Sequence, residues 1–122
     1  MNPGLDVETA SLAAVAARAA ESKDGEAIEV LDVSGVFVIC DAFVLVTGRT
    51  ERQVKALADE IEYQVREETG RTPRSVKGRD TLRWVLIDYG DVVIHILIEE
   101  DRGYYRLERL YGDVPRVDLA RS

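Results

Sequence analysis

Two aspartates, the only tryptophan and the only histidine of the chain fall within thirteen residues, WVLIDYGDVVIHI, at positions 84–96. Asp88 and Asp91 are residue types that can share acid–base work or hold a hard cation through oxygen. His95 adds a group that can titrate near neutral pH or ligate a metal. Spacing decides between that chemistry and a simpler one. With Tyr89-Gly90 as a two-residue turn, Asp88 faces Asp91, Leu86 faces Val93 and Trp84 faces His95. The aspartates then flank a turn, where such side chains accept hydrogen bonds from nearby backbone N–H groups. His95 has no second histidine, and no serine or cysteine nucleophile lies near it. The set therefore reads as a turn beside a histidine packed on a tryptophan. No catalytic residue, metal or cofactor is expected.

The same register sorts the other side chains. Ile87 with Val92 and Val85 with Ile94 make one aliphatic side, which must face the core or helices. The other side carries Trp84, Leu86, Val93 and His95. Tyr89 fits a tight turn poorly, because primed turns favour Asn or Asp there. It reads either as an exposed aromatic anchor beside Trp84 or as a side chain packed on an adjacent helix.

Periodicity indicates the elements that must position this hairpin. Asp6 can cap a helix in which Leu12, Val15, Ala16 and Ala19 recur at helical spacing, with Gly25 as its terminating residue. Strands are expected over 27–33 and over AFVLVTG, 42–48, the latter buried on both faces. The clearest helix follows. Thr50 and Gln53 form a capping box, Val54, Leu57, Ala58, Ile61 and Val65 line one face, and Gly70 and Pro73 end it. Strands over 83–88 and 91–98 make the hairpin. Tyr104, Leu107, Leu110 and Tyr111 suggest a last helix over 99–112, and 113–122 reads as a flexible tail. The order αββαββα predicts one α/β (α+β) domain over 1–112, a mixed sheet flanked by helices.

Composition narrows the function. The chain has 122 residues, a net charge of −7 and a single cysteine, Cys40. A general nucleic-acid binder should be basic, so this acidic surface favours a basic partner. One region departs from it: RTPRSVKGRDTLR, 71–83, has five basic residues and one acidic. It reads either as a solvated loop or as a local contact to phosphate or an acidic surface. Cys40 lies among apolar residues and reads as a small buried hydrophobe. No stretch approaches the roughly 20 apolar residues of a membrane span. The N-terminus lacks the basic and apolar regions of a signal peptide, so a cytoplasmic protein is expected. Phosphate-binding loops and zinc-peptidase or hydrolase motifs are absent.

Several segments together resemble the ribosomal silencing factor family, also called Iojap or RsfS. They run from LDVSG, through ICDAFVLVTGRTERQVKALADEIE, to WVLIDYGDVVIHILIEEDRGYYRLERLYGD. The resemblance implies a nucleotidyltransferase-like fold without catalytic activity. It implies binding to the large ribosomal subunit through ribosomal protein fourteen, at the face used for joining the small subunit. Occupying that face blocks joining and represses translation under nutrient limitation. A role in large-subunit assembly and formation of a homodimer are further implications. By position, Trp84 matches the tryptophan implicated in the ribosomal contact, and Tyr89, Asp88, Gly90, Asp91 and His95 match the surrounding signature. The chain departs from the family at Lys77-Gly78, commonly Glu-Gly, which reverses a charge near the expected docking surface. The basic segment containing Lys77 could also lie near ribosomal RNA. A nucleotidyltransferase enzyme is the rival class, but Asp88 and Asp91 are D-x-x-D across a turn rather than the D-x-D set such enzymes use.

Overall fold

A computed structural model describes residues 5–35 and 40–100. The elements are α1 (Val7–Ser22), β1 (Glu26–Asp32), β2 (Ala42–Gly48), α2 (Glu51–Thr69), β3 (Ser75–Lys77), β4 (Trp84–Asp88) and β5 (Val92–Ile98). Local chemistry accounts for the helix ends. The Asp6 carboxylate accepts the Thr9 N–H at 2.8 Å, the expected cap of α1. The chain leaves α1 through Asp24, with φ of +61°, rather than through Gly25. A short polar side chain tolerates that left-handed backbone better than most.

In α2 the Thr50 hydroxyl accepts the Gln53 N–H at 3.1 Å. The Gln53 side chain reaches back further than a standard capping box, accepting the Arg49 N–H at 2.7 Å. Its amide nitrogen also donates to the Lys23 and Asp24 carbonyls at 3.1 and 2.9 Å. One side chain thus starts α2 and ties it to the end of α1. Gly70, with φ of +77°, stops the helix.

The five strands order β1-β2-β5-β4-β3. Among the described strands only β2 and β5 pair in parallel, so the sheet is mixed as expected. A parallel neighbour needs a long connection, which α2, β3 and β4 supply. β3 was not expected from the sequence, because three residues are too few to show a period-two pattern.

Both helices pack on one face of the sheet. Leu12, Ala13, Ala16 and Ala20 of α1 and Leu57, Ala58 and Ile61 of α2 are fully buried there against Val44, Val46, Val85, Ile87, Ile94 and Ile96. Alanines on α1 let the backbones approach closely. On the opposite face Leu31, Val33, Cys40, Leu45 and Leu97 form a smaller cluster, with Phe43, Trp84 and Val93 partly buried against it. Beyond Glu100, the expected last helix and the tail from 113 lie outside the described residues.

Candidate functional site

The β4–β5 hairpin pairs two residues away from the expected register. Asp88 lies opposite Val93, Leu86 opposite His95 and Trp84 opposite Leu97. The Tyr89 N–H donates to the Val92 carbonyl at 2.9 Å, so the turn is Gly90-Asp91 and not Tyr89-Gly90. Gly90 has φ of +96° at the first central position, where a type II′ turn asks for glycine. Its N–H donates to the Asp88 carboxylate at 2.7 Å. Because side chains alternate with a period of two, a two-residue slip keeps every one on its expected face. The sorting of faces therefore stands, while the pairings Asp88–Asp91 and Trp84–His95 do not.

Tyr89 is consequently not an exposed anchor at a turn. It is the last residue of the helix-facing side and is 3% exposed. Its hydroxyl is buried without a hydrogen-bond partner among the described residues. Burial, helped by the negative charge of Glu62, pushes the phenol up to about 12. Tyr89 therefore offers almost no surface of its own, and the alternative of an aromatic packed on the helices is the one the structure shows.

Asp91 also points into structure. Its carboxylate accepts two bonds from the Arg71 guanidinium, at 2.8 and 3.1 Å, and one from the Thr9 hydroxyl at 2.9 Å. Its carbonyl accepts the N–H groups of Asp41 and Ala42 at 2.8 and 3.0 Å. One turn residue therefore joins α1, the start of β2 and the segment after α2. Burial alone would raise this carboxyl, but the bonds from Arg71 and Thr9 outweigh it and hold the group below the usual carboxylate range. Asp88 pairs instead with Arg74 at 3.3 Å. The two aspartates are thus engaged by different arginines and do not converge on a shared proton or ion.

The strand registers place the remaining candidates together. Lys77, Leu86, His95 and Leu45 form one row across the sheet, on the face away from the helices. Asp88, Val93 and Phe43 form the next row, and Trp84 lies beside Leu97. Lys77, Trp84, Asp88 and His95 therefore share a face, Tyr89 lies on the other, and Gly90 and Asp91 make the turn.

At the centre of that face His95 is 6% exposed. The Trp84 indole N–H donates to its Nδ1 at 3.1 Å, across the diagonal between strands rather than directly opposite. Phe43 meets the imidazole edge-on at 4.7 Å. The packing of His95 on Trp84 expected from the sequence is present, through a different pairing.

The basic segment does not form an open cationic patch. Arg71 pairs with Asp91, Arg74 with Asp88, Arg79 with Asp59 and Glu62, and Arg83 with Glu100. Among the described residues Lys77 is the one cation of the segment without an ion pair. Cys40 is buried as expected. Desolvation by burial pushes its thiol up to about 11.

Two contributors were not read as such in the sequence. Phe43 sits in an apolar run whose alternation is invisible because both faces are apolar. Gly78 has φ of +90°, and a Cβ there would lie 2.0 Å from the Trp84 carbonyl oxygen. The only sequence signal was the Lys77-Gly78 pair itself.

Comparison with known proteins places these features. The family model described as "Ribosomal silencing factor during starvation" matches residues 6–122. A Bacillus subtilis protein named ribosomal silencing factor RsfS is 41% identical over 109 residues, covering 89% of this chain and 92% of its own length. A Halalkalibacterium halodurans protein of the same name is 40% identical over 105 residues, covering 86% and 89%. Among solved structures, a Chromobacterium violaceum protein superposes with a TM-score of 0.80 at 32% identity, covering 88% of each chain.

Proposed function

The chain belongs to the ribosomal silencing factor family, and from that premise we propose that it is a steric anti-association factor. It binds the large ribosomal subunit through ribosomal protein fourteen, blocks joining of the small subunit and so represses translation when nutrients are scarce. Its role is regulatory and non-catalytic, exercised in the cytoplasm.

The observation that carries the docking part is the grouping of Trp84, Phe43 and Val93, partly exposed on the face opposite the helices. Aromatic side chains on a rigid sheet lose little entropy on binding and supply the desolvated centre of an interface. Lys77 and Asp88, on the same face, supply polar contacts around it. The net charge of −7 supports a basic ribosomal protein as partner. With the arginines of 71–83 committed to ion pairs, contact with ribosomal RNA is peripheral and runs through Lys77.

Purified large subunits are sedimented with the protein, and small subunits are then added. Co-sedimentation and fewer joined ribosomes are expected. Failure of both refutes the proposal, and association confined to immature particles would assign the protein to subunit assembly instead. Trp84→Ala should weaken binding by about 2 kcal/mol, roughly thirtyfold, while the folded state persists. Loss of folding in that variant at assay temperature would make Trp84 a core residue instead.

A further inference from the structure

We infer that His95 is a positioning residue for Trp84: the buried imidazole accepts the indole N–H and fixes the ring in the orientation that docks. The inference rests on the docking role proposed for the Trp84 face, and it assigns a cause to that face's geometry.

Four observations lead to it. The Trp84 indole N–H donates to His95 Nδ1 at 3.1 Å. An indole can only donate, so Nδ1 is the acceptor in this contact. His95 itself is 6% exposed, too buried to offer a partner much surface, whereas Trp84 is partly exposed. Third, the imidazole is held in turn: Phe43 packs edge-on against it at 4.7 Å, and Leu86 and Leu45 flank it on the neighbouring strands. Finally, the Trp84 main chain is fixed independently by strand pairing opposite Leu97, with Gly78 packed so close to its carbonyl that a Cβ there would clash.

A tryptophan on a sheet has two free side-chain torsions, and an exposed ring samples several rotamers. A binding hot spot is most effective when its rotamer is set before the partner arrives, because that ordering cost is then not taken from the binding energy. Strand pairing fixes where the side chain starts. The bond to Nδ1 fixes where it ends. His95 thus serves the partner without touching it, which accounts for a polar ring in an otherwise apolar centre.

The test uses the full chain and the fact that it has one tryptophan. His95→Asn puts an amide oxygen at the Nδ1 position and keeps the acceptor. His95→Phe keeps an aromatic ring of similar size and removes it. The single indole N–H resonance, its exchange with water and the tryptophan emission maximum report the contact in the isolated protein. Co-sedimentation with large subunits reports docking. His95→Phe should shift the indole resonance, speed its exchange and weaken binding on the order of tenfold, the worth of one partly buried hydrogen bond. His95→Asn should restore both readouts toward the native values. The inference is overturned by an unchanged indole resonance in His95→Phe, or by His95→Asn matching His95→Phe in both readouts. An indole that responds as expected in a native protein that never binds large subunits would refute the docking role while leaving the Trp84–His95 contact intact. Should His95→Phe not fold, His95→Asn against His95→Gln decides, since glutamine carries its oxygen to the Nε2 position and should fail to restore the resonance.

Discussion

Asp91→Asn should destabilise the protein by about 2 kcal/mol while leaving large-subunit binding near native. The native carboxylate accepts two bonds from Arg71 and one from Thr9. The Arg71 and Asp91 side chains are 34% and 23% exposed. A fully exposed ion pair contributes about 0–1 kcal/mol, and breaking a fully buried one costs about 3–5. A pair about a quarter to a third exposed falls between, after discounting for solvent screening. Asparagine keeps one acceptor oxygen but turns an N–H₂ toward a guanidinium, so little of the Arg71 contact survives. For a chain of 122 residues, about 2 kcal/mol corresponds to a melting shift of roughly 8 °C. The pH dependence carries the same signature. The folded carboxyl titrates below its unfolded value, so its stabilisation is complete above about pH 4 and is lost as pH falls through the lower folded value. Thermal melts by circular dichroism at pH 7 and below pH 4 should show the native–variant gap closing on acidification. A gap under about 0.5 kcal/mol at pH 7 would refute the hub role. Lost ribosome binding in a folded variant would return Asp91 to the docking surface.

Three other perturbations probe separate parts of the account. Tyr89→Phe removes a buried hydroxyl that has no described partner, so stability measured by urea titration should stay within about 0.5 kcal/mol of native or rise; a loss of more than about 1 kcal/mol would show that the hydroxyl is satisfied. Gly78→Ala should cost about 2 kcal/mol or more and shift the Trp84 emission, since both the positive φ and the approach to the Trp84 carbonyl oppose a Cβ; near-native stability and fluorescence would mean that the loop moves freely. The Cys40 thiol, buried and raised to about 11, should resist alkylation in the folded protein at pH 8 and react once urea unfolds it; fast native labelling would contradict its burial.

Which parts of this molecule a reader could extract from the sequence follows from the range of the forces involved. Asp6 and Thr50 announced their helices because capping acts over three residues. The apolar face of α2 was legible because its polar face contrasts with it. The hairpin faces were legible too, because alternation survives a slip of two. The register itself was misread: Tyr89-Gly90 and Gly90-Asp91 both place glycine in a turn, and the poor fit of Tyr89 to a primed turn was the one local sign that favoured the second. Contacts at a distance reinforce that choice, through Arg71 and Thr9 bonding Asp91 and through burial of Tyr89 beneath the helices. The neutralisation of 71–83 was hidden for the same reason, since Asp59 and Glu62 lie on another element. The grouping of Lys77 with Trp84 and His95 required β3, which is too short to read.

The central claim is that the Trp84 face of the sheet meets the large subunit, and a map of the complex tests it most directly. The account predicts this face against ribosomal protein fourteen, with Trp84 at the centre of the contact, Tyr89 buried beneath the helices and the small subunit's joining surface obstructed. A complex docked through α1 and α2, or one that leaves the joining surface open, would contradict it.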